Sequence, residues 1–246
     1  MLELRNPHAV LATLKKRPRA VRVIRVNRDR TTPAWAEVIS VANAAGVAVE
    51  TGRGAESGKR SDPNRRGTER TGAGSATVEP PSPIPPGNLW KNVPPEGHGL
   101  WLGLDQVQDP QNLGAIFRLA SFFGVRGIVM TRDNSASVNA TACDISAGGV
   151  EFVPFAVVPN LAAALKKARK ANLWTLGTCE RSKDDIRGVK LDRHWMLMLG
   201  NEGTGLRRLT RDCCDSLVCY PSQGDVESMN VATAAAACLA VLNASS

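Results

Sequence analysis

Apolar residues recur with two different rhythms along this chain. Near the start, Val10, Leu11 and Leu14 in PHAVLATLKK are spaced as on one face of a helix. VRVIRV, residues 21–26, alternates as a strand does, which predicts Val21, Val23 and Arg25 on one side. AWAEVISVANAAGVAVE predicts a helix stopped at Gly46 and followed by a strand, and SATVEP predicts one more short strand. From residue 99 the alternation gives way to continuous apolar runs. LWLGLD (100–105), RGIVMT, EFVPFAV, LWTLGT, WMLMLG and SLVCYP read as strands covered on both faces. NLGAIFRLASFFGV (112–125) reads as a helix with Ile116, Leu119, Ala120 and Phe123 on one side. NLAAALKKARKAN and MNVATAAAACLAVL read as two more. Strands alternating with helices predict an α/β fold with a mainly parallel sheet, preceded by a small α/β unit.

The segments between these patterns set the boundaries. Residues 52–74 are rich in Gly, Arg, Ser and Asp with almost nothing apolar, which predicts a mobile insert. Seven prolines between residues 80 and 95 predict a stiff, extended linker. The expected division is a unit at 1–79, a linker at 80–98 and a second unit at 99–246.

Charge sharpens that division. Of 31 Lys/Arg and 23 Asp/Glu, residues 1–70 hold 15 and 7, and the remainder holds 16 of each. All of the net charge of +8 therefore lies in the first 70 residues, as in a nucleic-acid-facing module joined to a neutral one. No run of 18 apolar residues occurs, and MLELRNPHAV lacks the apolar core and cleavage site of a signal peptide. No membrane partner is expected. Six cysteines form no C-x-x-C pair and only three histidines exist, so no metal site is expected and the thiols should be reduced and mostly buried.

Chemistry concentrates in LMLGNEGTGL (197–206), where an apolar strand runs into three glycines, Asn201 and Glu202. The spacing G-x-x-G-x-G is not the dinucleotide fingerprint and follows a late strand rather than the first. Gly200, Gly203 and Gly205 should permit positive φ and let backbone groups approach an adenosine-like ligand without a phosphate grip.

That stretch does not stand alone. LDQVQDPQNLGAIFRLASFFGV (104–125), LMLGNEGTGL and CYPSQGDVESMNVATAAAACL (219–239) together resemble motifs 1, 2 and 3 of the SpoU (TrmH-like) RNA 2′-O-ribose methyltransferases of the SPOUT superfamily. The resemblance spans about 100–243 and extends to NSASVNATACDISAGGVEFVP. It is closest to bacterial enzymes that methylate a guanosine in large-subunit ribosomal RNA.

This resemblance implies a parallel sheet with a C-terminal trefoil knot, S-adenosylmethionine (SAM) as cofactor, a homodimer and a cytoplasmic location. By position it places the cofactor on Leu199, Gly200, Asn201, Gly203, Tyr220 and Met229. It implies a catalytic set of Asn112, Arg118, Glu202, Ser228 and Asn230. Arg118 suits a phosphate clamp and stabiliser of developing alkoxide charge better than a base, because a guanidinium hardly deprotonates at neutral pH. Glu202 is expected to orient its neighbours rather than act as acid or base. Residues 1–79 resemble the ribosomal-protein-like RNA-binding domain of such enzymes, but TGAGSATV (71–78) stands where relatives show a His-Gln-Gly signature. The alternatives are a transfer-RNA methyltransferase and an RNA-binding or ribosome-assembly protein with an inactive domain.

Overall fold

The structure is a computed structural model, and it describes residues 1–52, 72–226 and 228–243. Two sheets form, one on each side of the proline-rich segment. The first has the order β1-β4-β2-β3, built from β1 (Leu2–Leu4), β2 (Val21–Asn27), β3 (Val49–Gly52) and β4 (Gly74–Val78). β4 lies between β1 and β2 and is antiparallel to both, while β3 runs parallel to β2. Helices α1 (Pro7–Lys16) and α2 (Pro33–Ala44) accompany this sheet. Each begins with Pro behind a side-chain cap, Asn6 for α1 and Thr32 for α2, which satisfies a free N–H of the first turn.

The face expected of β2 is corrected by a bulge. Its register shifts between Val21 and Val23, so Val21, Ile24 and Val26 point inward while Arg22 and Arg25 face solvent. The extra residue resets the two-residue period, which sequence alternation cannot reveal.

The second sheet has six strands, every neighbouring pair parallel, in the order β10-β8-β9-β5-β6-β7. They are β5 (Gly99–Leu104), β6 (Ile128–Thr131), β7 (Phe155–Val158), β8 (Leu173–Thr178), β9 (His194–Leu199) and β10 (Ser216–Val218). Helices α3 (Pro110–Phe122), α4 (Ala140–Ser146), α5 (Gly149–Phe152), α6 (Leu161–Lys170), α7 (Arg208–Asp212) and α8 (Val231–Asn243) complete the unit. All six residues of β5 and all six of β9 are buried, which explains the unbroken apolar runs. On one face α3 and α8 meet through Leu113, Ile116, Phe117, Ala235 and Leu239. Each large apolar side chain buried there contributes about 1.5–3 kcal/mol. EFVPFAV is not one strand, because Glu151 and Phe152 belong to α5 and β7 begins only at Phe155.

The proline-rich segment is extended yet docked on the second unit. Ile84 N donates to Phe155 O at 2.8 Å, and Trp101 Nε1 donates to Leu89 O at 3.0 Å. Leu89 and Trp90 are buried beside Trp101 and Val129. The insert expected at 52–74 is shorter at both edges, since Gly52 ends β3 and Gly74 begins β4; residues 53–71 lie outside the described residues.

The two units also share a core. Cys143 is buried within the N-terminal cluster, and Val138 and Ala140 pack against it. Glu151 accepts from Arg17 Nε and Nη2 at 2.8 and 2.7 Å and from Thr13 Oγ1 at 3.1 Å. Asp144 accepts the backbone N–H groups of Arg5 and Asn6, each at 3.0 Å. Gly148 makes this contact possible, and Gly149 lets α5 approach α3 within the second unit. A Cβ at Gly148 would lie 2.6 Å from the Ala12 side chain, and one at Gly149 would lie 2.5 Å from Phe117 O. Among the described residues no helix is long and apolar enough to cross a membrane.

Candidate active site at the carboxyl edge of the sheet

The chain leaves β5 toward β6 and β7, then crosses over to build β8, β9 and β10 on the other side. β5 and β9 are therefore neighbours at the point where the strand order reverses. In open α/β sheets this is where ligands bind, just beyond the strand carboxyl ends. Leu104 and Leu199 are in register there, so the loops after them emerge side by side. These loops are the first two motifs of the sequence. The third precedes α8, which packs against α3, so its first residues arrive at the same place.

Three of the five expected catalytic residues form one hydrogen-bonded chain. Asn230 Nδ2 donates to Asn112 Oδ1 at 2.9 Å, and Asn112 Nδ2 donates to Glu202 Oε1 at 2.9 Å. They come from positions 112, 202 and 230, one from each motif. Asn112 is buried at the start of α3, behind Asp109, whose carboxylate caps the helix by accepting from Gln111 N at 2.8 Å. Asn230 plays two parts. Its Oδ1 accepts from Ala232 N at 2.9 Å and caps α8, which leaves Nδ2 for Asn112.

Glu202 also accepts from the backbone N–H groups of Gln108 and Asp109, each at 3.4 Å. Burial alone would raise its pKa. The hydrogen bonds from Asn112 and from the backbone outweigh that effect and hold the carboxyl below the ordinary Glu value. An ionised acceptor ringed by donors orients neighbours and does not supply protons at neutral pH.

Ser228 and Arg118 lie outside this chain. Ser228 is exposed, two residues before the cap. Arg118 is exposed on α3, about 120° around the helix axis from Asn112 at 100° per residue. Among the described residues no side-chain hydrogen bond ties Arg118 to the network.

The glycine loop is built differently from the expectation. Of its three glycines only Gly205 has positive φ, at 68°. Gly200 serves close packing, because a Cβ there would lie 2.2 Å from the carbonyl carbon of Gly205. Gly203 meets neither constraint. Asn201 and Gly205 exchange backbone hydrogen bonds at 3.0 and 2.9 Å, closing a tight hairpin. Asn201 Oδ1 accepts from Gly203 N and Thr204 N inside that turn, and its Nδ2 donates to Gln106 O at 2.9 Å. Leu199 is buried at the strand end, whereas Tyr220 and Met229 are 43% and 45% exposed.

Two concavities, of about 520 and 470 Å³, lie away from these groups. The first is lined by Pro95, Asn172, Trp174 and His194, the second by Leu176, Lys183, Lys190 and Trp195. Neither contains a motif residue, so volume is a poorer guide here than the convergence of polar side chains. The cysteines are all free thiols, but only Cys143 and Cys238 are buried; the other four are half-buried. Burial pushes the thiols of Cys143 and Cys214 up to about 12 and that of Cys238 to about 11, so these three stay protonated at neutral pH.

Sequence reasoning missed one pair. Asp105 is fully buried directly after β5 and meets Arg207, which follows the glycine hairpin. A carboxylate ending the otherwise apolar run LWLGLD was the available signal.

Comparison with known proteins agrees with this architecture. The SpoU rRNA Methylase family model matches residues 99–240. A relative named 23S rRNA (guanosine-2′-O-)-methyltransferase RlmB, from Bordetella pertussis, is 34% identical over 232 residues, 94% of this chain and 92% of its own. A protein of the same name from Nitrosomonas europaea is 43% identical over 140 residues, 57% of this chain and 54% of its own. Among solved structures, the SpoU methyltransferase AviRb from Streptomyces viridochromogenes, in complex with AdoMet, superposes with a TM-score of 0.74. It has 21% identity and covers 99% of this chain and 89% of its own, a likeness of fold.

Proposed function

The chain belongs to the SpoU rRNA methylase family, and from that premise we propose that it transfers the methyl group of SAM to a ribose 2′-hydroxyl of large-subunit ribosomal RNA, at a guanosine. The observation that carries this reading is the Asn230–Asn112–Glu202 chain, which ties the three motifs together at the switch point of the sheet. The cofactor supplies an electrophilic methyl group. We place the cofactor on Leu199, Gly200, Asn201, Gly203, Tyr220 and Met229: Gly200 and Gly203 have no side chain to cover their backbone, the hydrogen bonds of Leu199 and Asn201 to Asp105 and Gly205 fix the shape of the loop, and Tyr220 and Met229 offer exposed apolar surface.

Transfer needs the hydroxyl oxygen in line with the methyl group and relieved of its proton. Asn112 has a fixed amide orientation, because both of its polar atoms are engaged. It is therefore a rigid post from which the substrate side of the site is measured. Glu202, ionised, holds that post and the Gln108–Asp109 backbone in place. Arg118 is the exposed cation on the same helix, and we assign it the RNA phosphate and the developing alkoxide charge. Ser228, exposed ahead of the Asn230 cap, adds a hydroxyl for the ribose.

The basic unit at 1–79 supplies RNA affinity, with 80–98 as its connection and 99–246 as the methyltransferase unit. We read the latter as knotted. Supporting this, Cys219 N donates to Asp184 O and Ile186 N donates to Cys219 O, so the chain after β10 passes alongside the loop after β8 before α8 returns to α3. We read the working enzyme as a homodimer, consistent with Phe122 at 80% exposure on α3, and place it in the cytoplasm with its ribosomal substrate.

The test is calorimetric binding of SAM followed by methyl transfer to 23S rRNA fragments and mapping of 2′-O-methyl positions. A single modified guanosine, formed in excess EDTA on prefolded RNA, is the expected result. Transfer to transfer-RNA transcripts alone overturns the substrate assignment, and SAM binding without any transfer overturns the enzyme assignment.

A further inference from the structure

Residue 105 grips the chain on both sides of the glycine hairpin. Its backbone N–H donates to Leu199 O at 2.8 Å. Its carboxylate accepts from Arg207 N at 3.0 Å and from Arg207 Nε at 2.7 Å, and Arg207 Nη2 lies 2.7 Å from the same Oδ1. The seven residues between 199 and 207 are thus closed into a loop by a single residue. Gln106, with φ of 63°, turns the chain away at once and donates its N–H to Thr131 Oγ1 at 2.9 Å, so the gripping residue is itself fixed.

The Asp105 side chain is 0% exposed while that of Arg207 is 43% exposed. A buried carboxylate is costly to desolvate, and among the described residues this one accepts hydrogen bonds only from the side chain and N–H of Arg207. A pair of this kind is an inefficient way to gain stability, because apolar residues in its place are often neutral or stabilising. It is an efficient way to fix geometry, since a planar guanidinium meets a carboxylate in few orientations. A loop that holds its ligand through backbone groups needs such fixing, because it has no long side chains to adapt.

We infer that Asp105 and Arg207 are positioning residues for cofactor binding, the ion pair that sets the hairpin at 200–206 in its SAM-receiving shape. This rests on the proposed methyltransferase reading. Neither side chain need touch the methyl group or the ribose, so the pair acts on SAM affinity rather than on the rate with bound cofactor.

The experiment compares wild type with Arg207→Lys, Arg207→Gln, Asp105→Asn and the double variant Asp105→Asn/Arg207→Gln. SAM Kd is read by calorimetry, kcat at saturating SAM by methyl transfer, and folding by circular dichroism. Arg207→Lys and Arg207→Gln should stay folded and weaken SAM binding about tenfold, in line with loss of one charged hydrogen-bond pair. Their kcat at saturating SAM should stay near wild type. Effects of the single changes on Kd should be non-additive in the double variant. If Asp105→Asn does not fold, the Arg207 variants, at a half-exposed side chain, decide the matter. Folded Arg207 variants with unchanged Kd overturn the inference, as does a fall in kcat with Kd intact. A wild-type chain that fails to bind SAM overturns the methyltransferase reading itself, before any variant is compared.

Discussion

β2 and β9 are both strands of six or seven residues near the middle of a sheet, yet they present their information differently. In β2, Arg22 and Arg25 reach solvent while Val21, Ile24 and Val26 hold the core. Arg25 pairs across the strands with Glu50, its register partner, and Arg22 pairs with Glu79. In β9 every side chain is buried, and nothing along its length faces outward. A half-exposed sheet can display function on its face. A parallel sheet covered on both sides can display it only at its ends, so the polar groups of the C-terminal unit gather where β5 and β9 stop. The N-terminal unit offers a charged surface, tolerant of single changes; the C-terminal unit offers one set of mutually dependent contacts.

That contrast predicts that the harshest effects come from the strand ends. Gly200→Ala should abolish SAM binding detectable by calorimetry, because the new methyl would lie 2.2 Å from backbone that cannot swing aside. Normal SAM affinity in this variant would show that the hairpin is not the cofactor loop. Arg118→Ala should slow single-turnover methyl transfer by at least ~100-fold, as for loss of one preorganised charge-stabilising group, with SAM Kd little changed. Arg118→Lys should fail as well, since an ammonium lacks the planar grip. Near wild-type transfer by Arg118→Ala would make it a surface residue.

Glu202→Ala leaves the Asn112 amide and two backbone N–H groups without their acceptor. It should cost about 1–3 kcal/mol of transition-state stabilisation, or roughly 5–150-fold in kcat/KM. The same carboxylate gives a pH signature. Its pKa in the folded protein lies below the ordinary value of 4.5, so its contribution is complete above that value and is lost as pH falls through the lower folded value. The stability gap between wild type and Glu202→Gln, followed by chemical denaturation, should close in that acid range and nowhere above it.

The face of the N-terminal unit should respond more gently. Replacing Arg28 or Arg30, exposed beyond β2, with Ala should leave SAM binding intact and lower the salt dependence of RNA affinity by about one phosphate contact each. An unchanged slope would mark those cations as merely solvated. Removing the whole unit is a less clean test than the charge split suggests, because Cys143, Val138 and Ala140 would lose their cover.

Much of this was legible in the chain itself. Apolar runs of four to six residues between helical periods are too short for buried helices and read as strands covered on both sides, so the α/β class and the parallel sheet follow from local pattern. The three motifs, read together, gave the family and singled out Asn112, Glu202 and Asn230, which the fold joins in one hydrogen-bonded chain. The charge split between residues 1–70 and the remainder is likewise a property of composition. Tertiary structure decided what depends on contacts between distant positions. A bulge that turns β2 over, a proline-rich segment bound to Phe155 and Trp101, and a core shared between the units leave no periodic trace. Gly200 is required by Gly205 rather than by its own φ, which no glycine count can state. Asp105 and Arg207, 102 residues apart, become partners only because β5 and β9 lie in register. Local sequence fixes which backbone shapes are inexpensive, and only the folded chain fixes which buried charge meets which counter-charge.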